Sequence, residues 1–135
     1  EQSIPTGKIL NVVGSKFDLQ KKFLINKEFL NSGGIDHNYV LDDLSMKEAV
    51  AKIYSKKTGL GVEYFTNQHG VQFYTGNFLN GQLVGKDGAV YDRRQAFCLE
   101  TQHFPDSPNK ANFPNTILRA GERFKSTTIF EFLTD

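Results

Sequence analysis

The sequence predicts a mostly β protein, and three features point there. It carries twelve Phe and five Tyr with no Trp, and aromatic side chains favour the pleated, half-buried surface of a sheet. It has twelve Gly, a residue that turns demand. Short apolar runs recur between turn signals along most of its length. In order, residues 8–13 form an apolar run closed by Gly14, and 37–41 follow the Gly33-Gly34 pair. Residues 48–54 alternate, with Ala49, Ala51 and Ile53 on one face. Runs 60–66 and 71–75 are separated by Asn67-Gln68-His69-Gly70, which predicts a hairpin or tight loop. Strands at 96–101 and 126–133 complete the set, the last rich in Thr, Ile and Phe. One or two helical turns are expected near 26–30, because Leu19, Phe23, Leu24 and Phe29 keep no clean helical stripe. The Gly-rich stretch 77–94 and the Pro-containing stretch 104–115 read as irregular loops. No repeat or linker divides the chain, so residues 1–135 are expected to form a single domain.

A chain of 135 residues can bury a core without a disulfide framework or a structural metal. Sixteen Lys plus Arg against fifteen Asp plus Glu give a formal charge of +1, which provides no electrostatic footprint for nucleic acid or an anionic membrane. The single cysteine, Cys98, excludes an intrachain disulfide and suggests a reducing compartment. No apolar run approaches the roughly 20 residues that span a bilayer. Residues 1–10 lack the basic start and apolar middle of a signal peptide, so a cytoplasmic location is expected. The first residue, Glu1, suggests a chain cut from a longer one.

Generic catalytic motifs are absent: there is no Walker loop, Rossmann glycine fingerprint, paired-Cys motif or Gly-x-Ser-x-Gly elbow. The histidines are His37, His69 and His103. Glu100 and His103 are three apart, a spacing that shares a helix face, but 96–99 reads as a strand, where that spacing separates them; no metal site is read there. Four clusters remain. Gly34-Ile35-Asp36-His37-Asn38-Tyr39 delivers a carboxylate, an imidazole and an amide at the mouth of a strand, either as a site or as an Asx-type turn in which Asp36 caps backbone N–H groups. In Gly70-Val71-Gln72-Phe73-Tyr74-Thr75-Gly76-Asn77, alternation places Gln72 and Tyr74 on one face, suited to a sugar or simply to an amphipathic strand. Glu100 interrupts an apolar run, either as a solvent-facing strand end or as a semi-buried base. Arg93-Arg94 beside Asp92 reads as a solvated turn rather than an anion site.

The motifs Asp36-His37-Asn38-Tyr39, Gln72-Phe73-Tyr74-Thr75-Gly76-Asn77-Phe78-Leu79 and Phe97-Cys98-Leu99-Glu100-Thr101-Gln102-His103-Phe104-Pro105-Asp106-Ser107-Pro108-Asn109 together resemble the aldose 1-epimerase (galactose mutarotase) family. Ile4-Pro5-Thr6-Gly7-Lys8, Leu118-Arg119-Ala120-Gly121-Glu122 and Ser126-Thr127-Thr128 are similar to the same family in its order, with the animal-type cytosolic branch nearest. The resemblance implies an antiparallel β-sandwich, the mutarotase-like supersandwich, of which this chain is the C-terminal part. It implies interconversion of the α and β anomers of galactose and glucose without a metal or organic cofactor. Glu100 matches the general base that takes the C1 hydroxyl proton, and Asp36 and Gln72 match residues that hydrogen-bond sugar hydroxyls.

The family's proton donor to the ring oxygen is a histidine in its N-terminal portion, and none of His37, His69 or His103 matches it. The implied partners are therefore the monosaccharide and either an N-terminal half of the same enzyme or a second copy of the chain. Exposed apolar sheet edges and faces are expected. The alternative from the same residues is a truncated non-catalytic module that binds sugar or protein.

Overall fold

The computed structural model describes residues 4–134. A short helix α1 (Lys27–Asn31) is followed by strands β1 (Asp36–Val40), β2 (Ala51–Ser55), β3 (Leu60–Thr66), β4 (Gly70–Tyr74), β5 (Leu83–Val84), β6 (Val90–Tyr91), β7 (Cys98–Gln102) and β8 (Thr128–Thr134). The β-rich expectation holds. One sheet has the order β1-β4-β7, a second has β2-β3-β8, and β5 and β6 form a two-stranded ribbon. The chain gathers into two compact units, one of Pro5–Asn38 with Gln72–Glu100 and the other of Tyr39–Val71 with residues 101–134. Among the described residues, no helix is long and apolar enough to cross a membrane.

In the first unit, α1 begins where a cap is available. Asn26 Oδ1 accepts the Phe29 N–H at 2.8 Å, satisfying one of the donors a helix start leaves open. Phe29 is its buried residue and meets Phe23 edge-on at 4.7 Å. Beyond Gly33-Gly34 the chain enters β1 through Ile35, which is fully buried. A knot of polar groups encloses the Ile35 backbone. Its N–H donates to Thr75 Oγ1 at 2.9 Å, while its carbonyl accepts from Thr75 N–H at 3.0 Å and from Asn77 Nδ2 at 3.1 Å. Thr75 N–H to Ile35 O continues an antiparallel pairing that sets Asn38 opposite Gln72 and Asp36 opposite Tyr74. On the apolar face of β4, buried Phe73 meets Phe97 edge-on at 6.1 Å.

In the second unit, β3 lies between β2 and β8, antiparallel to both. Tyr64, 1% exposed, faces Phe130 directly, with their rings edge-on at 4.7 Å. Thr66 pairs with Thr128, whose hydroxyl lies 3.0 Å from that of Thr101. The paired Lys52 and Glu63 make an exposed ion pair at 2.6 Å. Phe104 is buried against Phe113. Strand β8 is an edge strand and leaves Ile129, Phe130, Phe132 and Leu133 exposed, in line with the expected uncovered apolar faces.

Three sequence expectations are corrected. Residues 8–13 form no strand: Asn11 Oδ1 takes the Val13 N–H at 2.9 Å and Val12 O takes the Ser15 N–H at 2.9 Å, so local turn bonds replace a ladder. Runs 60–66 and 71–75 are strands joined by a tight loop at 67–69, the second of the two alternatives, and not by a hairpin, because β3 and β4 belong to different sheets. The Gly-rich stretch is not wholly irregular: Leu83 pairs with Tyr91 and Val84 with Val90 around a 3₁₀ turn at Lys86–Gly88. Two-residue strands are too short to show a period of two.

Gly34 has φ of 61°, and a Cβ there would lie 2.5 Å from Thr75 Oγ1 and collide with the Arg94 guanidinium. Gly14 shares a positive φ of 73° but has nothing within 4 Å of an added Cβ. Gly34→Ala is expected to lower unfolding stability by about 2–5 kcal/mol through backbone strain and crowding, and Gly14→Ala by only about 1–2. Urea denaturation compares them, and equal losses would remove the crowding argument.

Candidate functional site

The knot at Ile35 decides what its neighbour meets. With the β1–β4 register set, Asp36 and Gln72 stand diagonally on one face, and Gln72 Nε2 donates to Asp36 Oδ1 at 2.7 Å. Both are half-buried. Asp36 is therefore not the backbone-capping Asx residue that the sequence left open; its carboxylate is spent on a side chain across the sheet. Gln72 shares its face with Tyr74, as alternation predicts, and buried Val71 and Phe73 take the other. The Tyr74 ring stacks on Phe78 at 6.2 Å, and its hydroxyl accepts the Phe78 N–H at 2.8 Å.

Glu100 lies on β7, the strand beside β4. Phe97 meets Phe73, so the odd positions of this run share the apolar face. By alternation, Cys98 and Glu100 point to the face of Gln72 and Asp36. Both are exposed. Glu100 is thus the solvent-facing of the two alternatives, not a semi-buried residue. It is hydrogen-bonded to Cys98, whose thiol pKa is raised by burial and then by the Glu100 charge. All three site residues expected from the sequence fall on one face; the direct contact is Asp36–Gln72. A shallow hollow lined by Ile25, Leu30, Ala96 and Phe97, with Thr75, Arg94 and Gln95 at its polar side, lies on the face of Phe73 and away from Asp36 and Gln72.

His37 adjoins Asp36 but points the other way. Its Nδ1 accepts the Asp36 N–H at 3.1 Å and its ring packs on Phe17 at 4.3 Å. Burial is the main reason its pKa falls below 6.5; Asp36 opposes the shift and Lys16 adds to it.

Arg93 and Arg94 lie in a turn, as expected, and Arg93 is exposed, but Arg94 is half-buried rather than solvated. Arg94 adopts φ of 70° and donates to Thr75 Oγ1 at 3.0 Å and to Asn77 Oδ1. It fastens the knot that orients the Asp36–Gln72 face. No periodicity marks such a residue, because its partners lie 17 and 19 positions away. Thr75 and Asn77 stood inside a motif already singled out, but their shared bond to Ile35 was not legible there.

The family model described as Aldose 1-epimerase matches residues 1–131. The galactose mutarotase of Homo sapiens is 45% identical over 134 residues, covering 98% of this chain and 39% of that protein. The aldose 1-epimerase of Escherichia coli (strain K12) is 31% identical over 144 residues, covering all of this chain and 41% of that protein. The chain therefore spans about two fifths of the length of these relatives. A GalM/aldose epimerase homologue from C. elegans superposes with a TM-score of 0.85 over 97% of this chain and 40% of that one, at 23% identity, which establishes a shared fold. By sequence and by fold, this chain belongs to the aldose 1-epimerase family and corresponds to the C-terminal portion of its longer members.

Proposed function

We propose that this chain supplies the base and part of the sugar site of an aldose 1-epimerase that interconverts the α and β anomers of galactose or glucose. The observation that carries the reading is the common face of β1, β4 and β7, where Glu100 stands with the bonded pair Asp36–Gln72. Galactose mutarotase relatives that match the whole of this segment support the same chemistry.

Ring opening needs only protons moved. Glu100 accepts the proton of the C1 hydroxyl while an acid protonates the ring oxygen. The C1–O5 bond breaks, and the C1 carbonyl forms from the electrons of the former O–H bond. Rotation about C1–C2 and reclosure on the opposite carbonyl face, with both proton transfers reversed, give the other anomer. Asp36 and Gln72 hold the sugar for this. The amide fixes one carboxylate oxygen, leaving the rest of the carboxylate and the amide carbonyl to sugar hydroxyls, and fixed partners contribute through orientation. Glu100 is exposed and so accessible to a ligand.

The acid is assigned to the N-terminal portion of the intact protein. His37 is unsuited to the role, because it points away from the Asp36 face and its Nδ1 is held by a backbone N–H.

Polarimetry of freshly dissolved α-galactose with the intact protein tests the base. Glu100→Gln is near-isosteric and is expected to lower kcat by about 10²–10⁴-fold with the fold unchanged. A rate within a few fold of the parent would remove Glu100 from the role. Asp36→Asn is expected to act mainly on KM, because it weakens charged hydrogen bonds worth about 1.5–3 kcal/mol; a fall confined to kcat would contradict a holding role. His37 gives a third check. Its folded pKa lies below 6.5, so the stability it contributes is present above that pH and is lost as pH falls through the lowered value. Proton NMR of the imidazoles should place His37 below 6.5, and the acid loss should shrink in His37→Gln. Titration at or above 6.5 would contradict the packing described for it.

A further inference from the structure

His69 and His103 take no part in the proposed sugar chemistry. His69 lies in the turn between β3 and β4, and His103 directly follows β7; both belong to the second unit and are half-exposed. Their ring centroids are 5.3 Å apart, with planes inclined at 58°. Neither ring makes a hydrogen bond to another described residue, so the ring nitrogens of both are available. From this geometry we infer that His69 and His103 form a two-imidazole site for a divalent transition-metal ion such as Zn²⁺.

The spacing fits the chemistry. An ion about 2.0–2.1 Å from one nitrogen of each ring sits about 3.2 Å from each ring centre, and a tetrahedral angle then separates the two centres by about 5.2 Å. The protonation state is also suitable. Burial, then the neighbouring His69, lower the His103 pKa, which keeps a lone pair free at neutral pH. Imidazole is a ligand for Zn²⁺, Cu²⁺ and Ni²⁺. Among the described residues no group of three or more His, Cys, Asp or Glu gathers here or elsewhere, so the remaining coordination positions belong to water or an exchangeable ligand. The two ligands are far apart in sequence and brought together by the fold. An ion that binds them stabilises the folded chain by mass action.

The test needs no sugar and stands apart from the assignment of Glu100. Calorimetric titration of the untagged chain with Zn²⁺ alone at pH 7.5 should give one ion per chain, with a saturable rise in Tm. His69→Gln and His103→Gln should each weaken binding by about tenfold or more and abolish the rise, since each removes half of the protein's ligands. His37→Gln and Cys98→Ser should leave it unchanged. In the unsubstituted chain, Zn²⁺ should slow diethyl pyrocarbonate modification of His69 and His103 and not of His37, a readout independent of how the variants fold. Absence of binding, binding that survives both substitutions, or unprotected histidines would each overturn the site and leave a simple ring contact.

Discussion

The arrangement of the first unit depends on how the buried backbone of Ile35 is satisfied. A fully buried peptide group with no partner would cost on the order of 1–3 kcal/mol, so its donor and acceptor must both be met. Thr75 meets both ends of it, Asn77 doubles the carbonyl contact, and Arg94 holds Thr75 and Asn77 in place. These bonds fix the register of β1 against β4. A slip of one residue would send Asp36 to the face of Phe73 and strand a carboxylate among apolar rings. The polar knot and the Asp36–Gln72 pair are therefore one device, held in a single register on opposite sides of the strand.

The same logic explains why the chain buries little apolar surface for its aromatic content. Ile35, Phe73, Tyr64, Val71, Phe29 and Phe104 form the buried set, while Phe78, Phe97, Phe124, Phe130 and Phe132 remain exposed. Among the described residues, seven-residue β8 lies at the edge of its sheet and carries an apolar face, features that sheets ordinarily pair or cover. A segment matching about two fifths of its relatives has the strand pattern of the family's fold. Side-chain pairs such as Tyr64–Phe130 and the threonines at 66, 101 and 128 hold the second unit where burial alone is thin.

Much of this was legible in the sequence, for a local reason. The alternation over 48–54, the run at 60–66, the Gly33-Gly34 pair before 37–41, the helical turns near 26–30 and the Thr, Ile and Phe of 126–133 depend on neighbours within a few positions, and each gave its element to within one to three residues. The site residues Asp36, Gln72 and Glu100 came from motif resemblance, and alternation foresaw that Gln72 shares a face with Tyr74. What only the tertiary structure decided was pairing across distance. It sent β3 and β4 to different sheets, although four residues resembling a hairpin turn lie between them. It turned Arg94 from a surface charge into the clasp of the Ile35 knot, gave Asp36 its bond to Gln72, left Glu100 open to solvent, and set His69 beside His103. Period and turn chemistry are written along the chain, but a hydrogen bond spanning 36 residues depends on a register that exists only once the strands have met.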